Sequence, residues 1–263
     1  MRAVAPSDDP LDFTGRVVLV TGGTKGVGRG IARRYLELGA TVVITARRQP
    51  DQPVGDGDRR AHFVAADLRD PDQAAAAVDQ AVELGGGRLD AVINNAGGSP
   101  PAESATASPR FTEAIVRLNL LAPLHVAQRA NAVMGDQPGG GSIVNIGSVS
   151  GLRPSPASAA YGAAKAGLVN LTQTLAVEWA PQVRVNLVTG GLIETEQAEL
   201  FYGDAEAQAR VAATVPMGRL ATPRDIADAC VYLTSSMAAY VTGANLVVHG
   251  GGERPAFWDA AAP

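Results

Sequence analysis

The chain holds one cysteine and three histidines in 263 residues, and no uninterrupted apolar run reaches the roughly 18 residues of a membrane span. A lone Cys230 excludes an internal disulfide and any cysteine-rich metal site, so no metal is expected, and it fits a reducing compartment. It falls in the apolar run Ile226 to Leu233, which reads as a buried, inert thiol rather than a nucleophile. A large excess of one charge is also missing. Lys and Arg number 22 against 26 Asp and Glu, a net charge of −4 with a pI near 5.4, which argues against nucleic acid or an anionic membrane as the main partner. The stretch Met1 to Asp12 has three Asp and two Pro and no apolar signal core. A frayed first dozen residues and a cytoplasmic location are therefore expected.

What is present is apolar material, 46% of the chain against 18% charged. That is enough to bury the core of one large α/β domain, expected over 13–252 with a C-terminal tail at 253–263. Short β-branched runs at Val17–Val20, Ala40–Ala46, Ala61–Ala66, Leu89–Ile93, Ile143–Ile146, Val183–Val188 and Asn245–Val248 read as strands. Helical stretches separate most of them: Gly26 onward, Pro71–Leu84, Phe111–Met134, Ala157–Leu175, Glu196–Val215 with a break at Gly203, and Ile226–Leu233 behind a Thr222 cap and Pro223. Gln49–Arg60 reads as an irregular loop. Seven alternations predict a single Rossmann-type domain, a doubly wound seven-stranded parallel sheet with helices on both faces.

The most informative stretch is Thr21-Gly22-Gly23-Thr24-Lys25-Gly26-Val27-Gly28, between the first strand and the first helix. Glycines let a backbone approach a pyrophosphate closely, and the N–H groups of a helix's first turn point at an anion. The spacing Thr-Gly-x-x-x-Gly-x-Gly resembles that of the short-chain dehydrogenase/reductase family. Asn94-Asn95-Ala96-Gly97 after the fourth strand, Asn119 in a long helix, Ser148 at the end of the fifth strand and Tyr161-x-x-x-Lys165 match further motifs of that family in order and spacing, over about Arg16 to Gly252. Tyr161 and Lys165, at i and i+4, share one helical face.

The resemblance implies a nicotinamide cofactor and interconversion of a ketone with a secondary alcohol. In that reading Tyr161 is the general acid in reduction and the general base in oxidation. Lys165 lowers the phenol pKa and binds the nicotinamide ribose, Ser148 holds the carbonyl oxygen, and Asn119 holds a water that relays protons to Lys165. Cofactor contacts are implied at Gly22, Thr24, Lys25, Gly26, Val27, Gly28, Asp67, Leu68, Asn95, Ala96, Gly97, Gly191, Ile193 and Thr195, besides Tyr161 and Lys165. Asp67 reads equally as a helix cap. An NAD site needs a carboxylate at the end of the second strand, where this chain has Ala46-Arg47-Arg48. Arg47 and Arg48, with Lys25, suit the 2′-phosphate of NADP(H); were they solvated strand-end charges, NAD(H) would serve.

Two departures from the family pattern stand out. Gly190 replaces the usual Pro after the sixth strand, which predicts a more mobile lid, and His249-Gly250-Gly251 replaces Asp-Gly-Gly. His249, His62 and His125 read as structural. Small or apolar residues after Ser148 (Val149 to Leu152) and around Leu192 suggest an uncharged substrate. The rivals are a 3-ketoacyl-carrier-protein reductase, which would want cations such as Arg110, Arg117 or Arg153 at the pocket mouth, an NAD-dependent alcohol, steroid or sugar dehydrogenase, and a non-catalytic NADP-sensing protein. The long helices carry more apolar surface than one sheet covers, so a homotetramer or homodimer is expected.

Overall fold

The computed structural model describes residues 9–261, so most of the segment 1–12 expected to fray lies outside the described residues, as do 262 and 263. Seven strands, β1 (Val17–Thr21), β2 (Thr41–Ala46), β3 (His62–Ala65), β4 (Ala91–Asn94), β5 (Gly141–Ser148), β6 (Val183–Gly190) and β7 (Asn245–Val248), form one sheet. Their order is β3-β2-β1-β4-β5-β6-β7, and every pairing in the sheet is parallel. Val18 lies opposite both Val42 and Ala91, which places β1 inside the sheet beside its central strand β4. The chain reverses its winding between β1 and β4, and ligands of open α/β sheets bind outside the carboxyl ends of the strands at such a point.

Continuous apolar strands are what a sheet covered on both faces requires. Val17, Leu19, Val43, Val92, Ile143 and Val185 pack under α2 (Pro71–Leu84), α4 (Ala122–Gly135) and α5 (Ala159–Trp179). Their neighbours Val18, Val20, Val42, Ile44, Ile93, Val144 and Val188 pack under α1 (Gly26–Glu37) and α8 (Pro223–Thr234). Full burial of each such side chain stabilises the fold by roughly 1.5–3 kcal/mol. Local signals set the helix starts. Asp70 accepts from the N–H groups of Asp72 and Gln73 ahead of α2, and Thr222 with Asp225 makes a reciprocal capping box with Pro223 at the first turn of α8.

The structure departs from the sequence-based expectation in three places. The loop Gln49–Arg60 contains a two-residue hairpin, Gly55–Asp56 against Arg59–Arg60. The helix expected over Phe111–Met134 is α3 (Pro109–Val116), a π-helical turn at Arg117–Leu121, then α4. Pro123 has no N–H to give the carbonyl four residues back, and its ring would crowd that carbonyl, which belongs to Asn119, so the wider turn accommodates it. The tail contains a short helix, α9 (Ala256–Ala261). The lid region divides into α6 (Ala198–Tyr202) and α7 (Ala205–Thr214) around Gly203, whose φ of +81° favours glycine.

Cys230 is fully buried in α8, and burial pushes its thiol pKa well above the ordinary range. The folded protein is therefore expected to leave a thiol reagent such as DTNB unreacted, with one thiol per chain appearing on denaturation. Rapid labelling of the native protein would show that α8 does not seal this face.

Candidate active site

The glycine-rich turn between β1 and α1 is compressed against the end of β4. A β-carbon on Gly28 would stand 2.2 Å from the Gly22 carbonyl oxygen and 2.4 Å from Asn95 Nδ2, and one on Gly22 would stand 2.9 Å from Ala96 Cα. Asn95 supplies the brace. Its Nδ2 donates to the Thr21 and Gly22 carbonyls at 2.9 and 3.2 Å, while Thr21 Oγ1 accepts from the N–H groups of Asn95 and Ala96 at 2.9 and 3.0 Å. Asn94 works on the other side of the strand, donating to Asn145 Oδ1 at 3.0 Å and to the Pro123 carbonyl at 3.1 Å. The Leu68 side chain is buried in the core and Val27 packs half-buried against it. The Gly26 N–H accepts an anion already, donating to Glu196 Oε1 at 2.8 Å, so the turn fits a phosphate oxygen by its own chemistry. Thr24 is half-buried beside it, and Lys25 is exposed at the start of α1.

At the neighbouring ends of β2 and β3, Arg47 and Arg48 are exposed and no acid stands at Ala46. Sequence reasoning missed Arg69 here. Its guanidinium forks the Asp67 carboxylate, with Nε at 2.8 Å from Oδ1 and Nη2 closing on Oδ2. This contact holds the Asp67 carboxyl below the usual carboxylate range, and the charge of nearby Arg47 adds to the effect. Two arginines thus act on one carboxylate at this edge.

Ser148, Tyr161, Lys165 and Asn119 converge at the carboxyl ends of β4 and β5. Gly151 and Gly162 make this possible. A β-carbon on Gly151 would lie 2.8 Å from the Lys165 carbonyl carbon and one on Gly162 2.7 Å from the Ser150 oxygen, so the 3₁₀ turn after β5 rests directly on α5. Burial raises the Tyr161 pKa; a hydrogen bond with Ser148 pulls it back, and the nearby Tyr202 phenol pushes it up further. Lys165 is buried, donates to the Ile146 carbonyl at 2.8 Å, and lies 5.7 Å from the Tyr161 ring centroid. Burial alone lowers its pKa to about 8. The ammonium stands over the ring, with its hydrogen bond directed at the backbone. Asn119, in the π-turn, is fully buried and pins Gly98, accepting its N–H at 2.8 Å and donating to its carbonyl at 3.0 Å and to the Ile115 carbonyl at 2.9 Å. Gly97 threads between: a β-carbon there would be 2.7 Å from Asn119 Oδ1 and 3.4 Å from Lys165 Nζ.

After β6 the chain passes Gly191, Ile193 and Thr195. Gly190 is the last ladder residue of β6, opposite Ser148 and Val248, rather than part of the loop. His249 packs on Gly191. The Ile193 N–H donates to the Tyr202 hydroxyl at 3.4 Å, and Thr195 Cγ2 lies 3.7 Å from where a Gly26 β-carbon would stand. Beside Tyr161 opens a cavity of about 320 Å³ bounded by Ser99, Ala102, Phe111, Thr112, Ala157 and Ala160. Its wall is the loop after β4 and the start of α5, not the Val149–Leu152 segment; Leu152 is 48% exposed. No charged side chain lines it. The Ala102 N–H donates to the Ala157 carbonyl at 2.8 Å, and Ala157 holds a φ of +59°, uncommon for a residue with a side chain. A second cleft, about 190 Å³ at Leu36, Thr41 and Arg59–His62, lies at the opposite edge of the sheet, away from these groups.

The comparisons with known proteins agree with this geometry. A family model described as Enoyl-(Acyl carrier protein) reductase matches residues 22–253. An uncharacterized oxidoreductase of Mycobacterium tuberculosis is 36% identical over 248 residues, covering 92% of this chain and 94% of the relative. The 3beta-hydroxysteroid dehydrogenase 1 of Eggerthella lenta is 34% identical over 247 residues, covering 91% and 94%. Among solved structures, the ligand-free aldohexose dehydrogenase of Thermoplasma acidophilum superposes with a TM-score of 0.84 at 28% identity, covering 96% of this chain and 97% of that one. The chain belongs to the short-chain dehydrogenase/reductase family and is an oxidoreductase of that family, whose members use nicotinamide cofactors. Among the described residues, no helix is long and apolar enough to cross a membrane, and no cluster of metal-binding side chains occurs.

The compression at the turn predicts the effect of one added methyl group. Gly28→Ala is expected to destabilise the fold by about 1–3 kcal/mol, the usual cost of overpacking, read as a lower denaturation midpoint at unchanged m-value. A variant as stable as the parent would show that the turn can relax away from Asn95.

Proposed function

We propose that the protein interconverts an uncharged ketone and its secondary alcohol with NADP(H), with Tyr161 as acid and base. The observation that carries the reading is the meeting of Ser148, Tyr161 and Lys165 beside an uncharged cavity, at the sheet edge that also holds the glycine-rich turn. When bound, the nicotinamide supplies or accepts the hydride. Gly22, Gly26 and Gly28 would hold the pyrophosphate, Arg47, Arg48 and Lys25 the 2′-phosphate, and Asp67, Leu68, Ala96 and Gly97 the adenosine end. Ile193, Thr195 and Gly191 would hold the nicotinamide end. Arg69 belongs with the phosphate-binding cations, because it already offers a planar fork at that edge.

In reduction, Ser148 orients the carbonyl oxygen and Tyr161 gives it a proton. A phenol whose pKa burial raises stays protonated through the neutral range, which suits an acid. Lys165 stays cationic below about pH 8 and would bind ribose hydroxyls and stabilise the phenolate left behind. The relay expected at Asn119 would run past the Gly98 peptide that Asn119 pins. Relatives named for hydroxysteroids and a structural neighbour named for aldohexoses support a secondary alcohol as the other substrate form. The carrier-protein alternative is weakened by Arg153, whose charge is answered by Glu253. A cytoplasmic location, a single domain over 13–252 and a homodimer or homotetramer complete the proposal; for assembly the support is exposed apolar surface such as Val177 on α5, 82% exposed.

Two measurements test it. In fluorescence titrations NADPH should bind more tightly than NADH, and Arg47→Ala should weaken NADPH about tenfold, the worth of one charge-assisted hydrogen bond. Tyr161→Phe should retain that binding and lose about 10²–10⁴ in turnover of a ketone panel; full turnover would remove Tyr161 from the reaction. Second, because burial depresses the Lys165 pKa, its cation is present below about pH 8 and lost above it. The kcat/KM for reduction should fall about tenfold per pH unit above that point. A profile flat to pH 10 would show that the Lys165 charge is not needed.

A further inference from the structure

Two side chains of the lid hold N–H groups of the cleft itself. Glu196, one residue beyond Thr195, reaches the glycine-rich turn, where Oε1 accepts from the Gly26 N–H at 2.8 Å. Gly26 opens α1, and the N–H groups of a first helical turn have no partner within the helix. A carboxylate oxygen thus sits where the turn would take a phosphate oxygen. At the reacting end, the Tyr202 hydroxyl accepts the Ile193 N–H at 3.4 Å, and its phenol helps to raise the Tyr161 pKa. Beyond these contacts the lid is tied at its base, where the Glu194 N–H donates to the Ala221 carbonyl at 2.8 Å and Ala198 is buried, while its outer part is loosely held: Leu200 is 74% and Phe201 56% exposed, α7 buries no residue, and Gly203 separates the two helices.

We propose that Glu196 is an internal counter-anion which, with Tyr202, latches the segment 194–203 across the cofactor cleft, so that a dinucleotide binds by displacing both contacts. The proposal rests on the nucleotide-binding reading above and adds residues that lower cofactor affinity. The Glu196 carboxylate competes for the Gly26 N–H and repels the incoming pyrophosphate. The Tyr202 hydroxyl is released from the Ile193 N–H in the same step.

The test is a fluorescence titration with NADPH and NADH of the full chain, wild type against Glu196→Gln, Glu196→Ala and Tyr202→Phe, with thermal unfolding of each in the absence of nucleotide. Glu196→Gln keeps the shape of the side chain and covers the case in which Glu196→Ala folds poorly. The expected result has opposite signs in the two readouts. The Glu196 variants bind the preferred nucleotide about tenfold more tightly, since an ionised competitor is gone, while their Tm without nucleotide falls; Tyr202→Phe changes both in the same directions by less. A merely structural role would lower Tm and weaken binding together. Unchanged or weaker binding in Glu196→Gln, with the wild type binding nucleotide, overturns the latch alone. Failure of the wild type to bind either nucleotide overturns the function reading and the latch with it.

Discussion

The close approach of three backbone segments at Gly22, Gly28 and Ala96 is the constraint on which the remainder of this structure depends. The turn after β1 can enter α1 only if Gly28 passes within 2.2 Å, measured from an imagined β-carbon, of the Gly22 carbonyl. That approach would leave polar groups stranded in the core edge without Asn95 and Thr21, which between them satisfy the Thr21 and Gly22 carbonyls and the Asn95 and Ala96 N–H groups. The brace runs through the middle of the sheet, between its two central strands. It also fixes the height of β4, and with it Gly97, Asn119 and Lys165. The glycine-rich turn and the cluster of Ser148, Tyr161 and Lys165 are therefore set by one local packing solution.

Burying Lys165 is the second decision of the fold, and it opposes stability. An ammonium taken out of water with one carbonyl for company prefers to lose its proton, which is the physical content of its lowered pKa. Relative to an unfolded chain, that group disfavours the folded state fully below about pH 8, and the penalty fades as pH rises toward the ordinary lysine value. The sheet and its two apolar layers tolerate the cost because the burial elsewhere is so extensive. Tyr161 is pushed in the same sense: burial keeps its proton on, and the Ser148 hydrogen bond partly offsets that. A catalytic arrangement in which neither group is comfortable is what acid–base chemistry near neutral pH calls for.

The latch at Glu196 follows from the same physics at the phosphate end. A turn built to attract anions attracts whichever anion is near, and the lid supplies one. Arg69 illustrates the converse. A guanidinium at the strand ends meets the nearest carboxylate, here Asp67. One contact joins residues two apart in the chain and the other residues 170 apart.

Much of this was legible from the amino-acid order. Strand positions followed from short β-branched runs and the start of α8 from Thr222-Pro223, because these are local patterns that backbone sterics and hydrogen bonding translate directly, while the two asparagines, Ser148, Tyr161 and Lys165 were picked out by resemblance to the family's motifs. The expected parallel seven-stranded sheet was there. The sequence could not show that the long helix opens into a π-turn at Asn119, although Pro123 is the cause, because a helical period reads the same through a single wide turn. Nor could it show that Arg69 takes Asp67, that Glu196 reaches Gly26 across 170 residues, that Tyr202 stands beside Tyr161, or that the cavity wall is Ala102 and Phe111 instead of Val149 to Leu152. Those pairings join segments far apart in the chain or depend on side-chain reach. The sequence by itself determined which residues are apolar, which turns are tight and which reactive groups exist; only the tertiary structure decided which of them touch, because contact between distant segments is set by how the layers close over the sheet.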